Sequence, residues 1–127
     1  MKALRLVSLL VRDYDEAIRF YTDKLGFTVS EDVTFGEDRW VVLGLPESRE
    51  PGLALTLAQT EEDRAVVGHQ AGSFPLFALG TDDCLGEYQR MKERGVIFHG
   101  EPQREPWGTG VLLEDLYGNK IYMNQEP

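Results

Sequence analysis

Apolar positions along the chain recur with two periods, and the change from one to the other marks the elements. Tyr14, Ala17, Ile18, Tyr21 and Leu25 fall at the three-and-four spacing of a helix face, as do Cys84, Leu85, Tyr88 and Met91. These patterns predict amphipathic helices near 13–25 and 82–94. Each opens on aspartate, Asp13 in one and Asp82 and Asp83 in the other, which can accept the free N–H groups of a helix start. Each closes on a glycine, Gly26 or Gly95, suited to the left-handed turn that ends a helix. The acid-to-glycine distance from Asp13 to Gly26 and from Asp82 to Gly95 is thirteen positions in both.

Around the helices the apolar runs have strand length. LRLVSLLV precedes the first helix, and FTVSEDVTF, RWVVLGL and GLALTLA follow it. FPLFALG precedes the second, and VIFHG, TGVLLED and KIYMNQ follow. Each half therefore predicts a strand, a helix and three strands: an α+β fold of two βαβββ modules, about 1–60 and 74–127, in a single domain of 127 residues. A four-stranded sheet covered by one helix leaves its other face bare, so two such halves are expected to form an open barrel around a central cavity. The segment TEEDRAVVGHQAGS, about 60–73, is the expected linker, with room for one short helical turn.

Charge and cysteine content narrow the partners. Thirteen basic and twenty-two acidic side chains give a net charge of -9, which disfavours nucleic acid and anionic lipid and favours cationic ligands, besides serving solubility. No apolar run approaches the roughly 20 residues of a membrane span, and no export signal is evident at the N-terminus. With Cys84 the sole cysteine, no internal disulfide and no CxxC metal site is available. A soluble cytoplasmic protein is expected.

The chemistry-bearing residues are few. His69 lies in the linker and His99 ends a strand, neither at a metal-ligand spacing from another histidine or carboxylate. Ser8 sits mid-strand without a GxSxG turn, and Cys84 follows aspartates that would raise its thiol pKa. Glu114 and Asp115 are adjacent, so as extended residues they point to opposite sides and are read as turn and solvent groups before an acid/base pair. No catalytic residue is assigned. Strand alternation puts Trp40 on the face of Val42, while Trp107 stands in the loop QREPWGTG as a candidate wall or lid.

DEAIRFYTDKLGF, the central Arg39–Trp40 strand, TDDCLGEYQRMKERGV and the closing EDLYGNKIYM together resemble the vicinal oxygen chelate superfamily, which includes glyoxalase I, extradiol dioxygenases and bleomycin resistance proteins. The resemblance spans essentially the whole chain, with Leu116 where relatives commonly have proline. It implies paired βαβββ modules and a homodimer. Metal-using members place His, Glu or Gln on four strands facing the cavity. Here the corresponding positions fall at or beside Leu6, on the leucine strand ending at Leu57, at Leu76 or Pro75, and at Tyr122. A neutral phenol is a poor ligand for zinc or iron, so no metal and no cofactor are expected.

The resemblance then implies a metal-free protein that sequesters a planar, cationic or aromatic small molecule, as in the bleomycin resistance branch. Ser8, Trp40, Leu57, Leu76, Trp107, Tyr122 and Asn124 are the candidate ligand-binding residues, and Trp40, Trp107 and Tyr122 are expected to line one pocket. Two alternatives stand beside it. One is an enzyme of the same superfamily, a glyoxalase-like lyase or isomerase or a dioxygenase, using a metal or Tyr122 as acid/base. The other is a regulatory module with a vestigial cavity.

Overall fold

The computed structural model describes all 127 residues and divides into two compact units, Met1–Val67 and Gly68–Pro127. The first unit runs β1 (Leu6–Val11), α1 (Tyr14–Leu25), β2 (Thr28–Phe35), β3 (Asp38–Gly44), β4 (Gly52–Leu57) and α2 (Glu61–Val66). The second runs β5 (Phe77–Gly80), α3 (Cys84–Glu93), β6 (Phe98–Glu105), β7 (Gly108–Glu114) and β8 (Lys120–Gln125). Each unit is a βαβββ module, and the fold is α+β. The two sheets have equivalent strand orders, β1-β4-β3-β2 and β5-β8-β7-β6, and both are open.

In the first module, α1 starts where the Asp13 carboxylate accepts from the Glu16 N–H and ends at Gly26, whose φ of 79° is left-handed. The helix buries Ala17, Tyr21 and Leu25 against one face of the sheet. Register places Leu9, Leu55 and Val41 side by side on that face, and Leu9 and Val41 are fully buried. Tyr21 packs edge-on against Phe27, ring centroids 5.3 Å apart. Burying such a side chain contributes about 1.5–3 kcal/mol.

The second module repeats the design. Asp83 caps α3 by accepting from the Gly86 N–H, and Cys84, Tyr88 and Met91 are buried with Ile121, Met123, Val111 and Leu113. Tyr88 meets Phe98 edge-on at 4.7 Å. Burial, and then the nearby Asp83 charge, push the Cys84 thiol up.

Two features depart from the sequence reading. Strand β6 continues five residues past Gly100, through Pro102 to Glu105. It can do so because it is an edge strand, where proline leaves no ladder bond unmade, and because a register break between His99 and Gln103 absorbs Gly100 at φ 90°. Asp115, read as a solvent-facing turn residue, is 4% exposed. Its carboxylate accepts from the backbone N–H groups of Tyr117 and Asn119 and from Asn119 Nδ2, each at 2.9 Å. These bonds build the turn into β8, and Gly118 supplies its positive φ.

Candidate functional site

A cleft of about 470 Å³ lies on the β2–β3 hairpin of the first module, lined by Glu31, Val33, Phe35, Asp38, Arg39 and Trp40. The hairpin turns through Gly36 at φ 60° and Glu37, which fits the II′ turn that needs glycine at its first central position. Val33 pairs with Trp40 and Phe35 with Asp38. All four side chains therefore share the face of the sheet opposite α1. A register shift between Val29 and Glu31 brings Glu31 opposite Val42, onto that same face.

This patch is apolar yet uncovered: Val33, Phe35 and Trp40 are 43%, 61% and 41% exposed. The indole Nε1–H of Trp40 donates to Glu31 Oε2 at 2.7 Å, which fixes the ring's orientation. From the α1 side, Arg39 locks the hairpin in place. Its guanidinium donates to both oxygens of Asp32, at 2.9 and 2.8 Å, and to Asp15 Oδ1 at 3.0 Å. The hydrogen bond from Arg39 holds the Asp32 carboxyl below its usual range, and Asp32 and Asp15 hold the Arg39 guanidinium above its own.

Of the other candidates in this module, Ser8 shares the face of Trp40, since Ser8 aligns with Ala54 and Ala54 with Val42. Leu57 does not. It aligns with Val11 and alternates in phase with Leu53 and Leu55, on the α1 face.

In the second module, Tyr122 and Asn124 lie on the face opposite α3, and Leu76 precedes β5, its backbone N–H donating to the Lys120 carbonyl at 2.7 Å. Tyr122 aligns with Leu112 and Ala78, and Asn124 with Gly110 and Gly80. The Tyr122 ring lies over Gly110, where a Cβ would collide with the phenol. Trp107 stands at the tip of the β6–β7 hairpin and is 65% exposed. The walls of the cleft come from β2 and β3 alone, so neither Trp107 nor Tyr122 contributes to it.

The same face of the second module carries a pair that sequence reasoning set aside. His99 Nε2 and Glu114 Oε2 are 2.7 Å apart, with the imidazole 42% and the carboxylate 26% exposed. His99 aligns with Leu112 and Glu114 with Lys120, which makes them diagonal cross-strand neighbours. Their fifteen-residue separation carries no motif; only the strand register could have revealed them.

A divalent metal is not suited by these residues. Leucine at positions 6 and 76 offers no donor atom, the Tyr122 phenol lies on its own sheet, and no three His, Cys, Asp or Glu side chains are placed to hold an ion. His99 and Glu114 make two donors where a divalent site in a protein takes about four.

Comparison with known proteins agrees with this architecture. A family model described as the glyoxalase/bleomycin resistance protein/dioxygenase superfamily matches residues 3–123. The chain belongs to this superfamily. An uncharacterized protein of Shewanella frigidimarina (strain NCIMB 400) is 43% identical over 115 residues, covering 89% of this chain and 85% of the relative. Among solved structures, UcmS2 superposes with a TM-score of 0.83 at 32% identity, covering 98% of each chain. TnmS3, an antibiotic binding protein from Streptomyces sp. CB03234, superposes with a TM-score of 0.82 at 28% identity, covering 100% of this chain and 98% of its own.

Proposed function

We propose that the protein binds and sequesters a planar aromatic or amphipathic small molecule, with Trp40 as the stacking surface. The observation that carries this reading is the Trp40 cleft: a concave apolar patch, left exposed, whose one indole is held at a fixed angle by Glu31. A site of this kind binds by stacking and area burial rather than by bond-making chemistry. Likeness to TnmS3, an antibiotic binding protein, supports the same reading. Ser8, on the face of Trp40 in the same sheet, is the proposed further contact.

Titration of intrinsic fluorescence in a Trp107→Phe background, where Trp40 is the sole indole, tests the proposal. Saturable quenching by planar aromatic compounds is expected, and calorimetric titration should show the binding weakened in Trp40→Leu. Absence of quenching across a panel of such compounds at millimolar concentration would overturn it.

An enzyme of the same superfamily is a second reading, favoured by one observation. The His99–Glu114 pair shares a sheet face with Tyr122, and an imidazole oriented by a carboxylate can hold or move a proton. Conversion of a bound compound by the wild type, lost in His99→Gln while binding persists, would support it.

A further inference from the structure

Beyond planarity, the cleft has a sign. Its lining includes the carboxylates of Glu31 and Asp38 and a single cation, Arg39. The Arg39 charge is already matched, because Asp32 and Asp15 close on the guanidinium from the α1 side. Glu31 commits one oxygen, Oε2, to the indole, which leaves Oε1 with its lone pairs at the rim of the apolar patch. Asp38 stands across the hairpin from Phe35, and the turn residue Glu37 adds a further negative charge. An indole face beside two carboxylates is suited to a positive charge: the ring attracts it through its quadrupole, and the carboxylates attract it directly.

We infer that the cleft selects for cations: its ligand is a planar aromatic compound bearing a protonated or permanently charged nitrogen, and Glu31 is the residue that sets this specificity. The inference rests on the binding reading above and adds to it the charge of the ligand. Glu31 acts in two ways at once. Oε2 orients the Trp40 ring, and Oε1 receives the ligand's N–H or neutralises its charge. A neutral isostere gains the stacking and loses the charge pairing.

Two three-ring probes separate these contributions. 9-Aminoacridine is a cation at neutral pH, and acridine is neutral there with the same ring plane. Calorimetric titration at pH 7.5 and moderate salt should show 9-aminoacridine binding about tenfold tighter or more, the factor expected of one partly exposed charge-assisted contact. Glu31→Gln keeps an acceptor for the indole and removes the charge. It should bring the two affinities to within about threefold, chiefly through loss of 9-aminoacridine affinity. Glu61→Gln, which removes a carboxylate on α2, should leave the tenfold preference intact and so exclude a general effect of the net charge. Asp38→Asn should reduce the preference by less than Glu31→Gln does.

Equal binding of both probes by the wild type would overturn the cation selectivity while leaving the binding function standing. A preference that survives Glu31→Gln, or that falls equally in Glu61→Gln, would overturn the role of Glu31. Failure of both probes to bind would overturn the binding function itself. Thermal denaturation of each variant, expected within a few degrees of wild type because these side chains are at the surface, confirms that the comparison is between folded proteins.

Discussion

Trp40 illustrates how far a single residue can be read from its neighbours in sequence. Strand alternation put it on the face of Val42, and the register agrees. What alternation could not show is that the ring is 41% exposed and that its indole is tied to Glu31 nine residues earlier. That tie depends on the register shift after Val29, and a bulge leaves little trace in the hydrophobic pattern. Glu31 therefore went unnoticed, as did His99 with Glu114. Because Trp40 is only partly covered, Trp40→Ala is expected to cost well under the ~3–5 kcal/mol of a buried aromatic truncation, about 1 kcal/mol, while abolishing ligand quenching. Chemical denaturation and fluorescence titration measure the two effects. Cys84 behaves oppositely: buried, and with its thiol pushed up by burial and by Asp83, it should resist alkylation at pH 8 in the native protein and react promptly in denaturant. Equal rates in both states would contradict this.

At the scale of elements, helices were the most legible. The expected spans 13–25 and 82–94 correspond to Tyr14–Leu25 and Cys84–Glu93, since capping aspartates and closing glycines act through short-range geometry. Strand β6 was read as ending near Gly100, because its edge position tolerates the proline that would end an inner strand. The hairpin bearing the cleft depends on a clamp that no local pattern reveals, Arg39 with Asp32 and Asp15. Asp32 has its folded carboxyl held below the usual 3.8 by Arg39. Its contribution is therefore fully present above about pH 4 and is lost as pH falls through the depressed value. Arg39→Met should lower stability by about 1 kcal/mol at pH 7, as expected of a partly exposed network, and the gap from wild type should narrow below pH 4. A gap independent of pH would contradict the clamp. In the second module Gly110→Ala would drive a methyl into the Tyr122 phenol. The ring should swing off the sheet, seen as a changed tyrosine environment in near-ultraviolet circular dichroism with a lowered Tm.

The whole chain announced itself through its repeat. Two helix patterns with a matched thirteen-position distance from acid to glycine, flanked by equal sets of strands, pointed to two modules, and both sheets adopt the equivalent order. Side-chain chemistry on the sheet faces was less legible, because a function spread over facing strands depends on register, which hydrophobic alternation specifies only to the nearest face. At this scale we propose a homodimer, in line with the closed twofold assemblies common among such proteins. Sedimentation equilibrium at micromolar concentration should return twice the 14.4 kDa chain mass, and a monomer would count against it.

The central claim is that a planar ligand sits against Trp40. The chain has two tryptophans, so a proton–nitrogen correlation spectrum carries two indole N–H signals, one of them from the Trp40 N–H bonded to Glu31. Assigned through Trp107→Phe and titrated with 9-aminoacridine, the Trp40 signal should move in a saturable way at stoichiometric ligand. A Trp40 signal that stays fixed while the compound binds elsewhere, or while it fails to bind at all, would contradict the account.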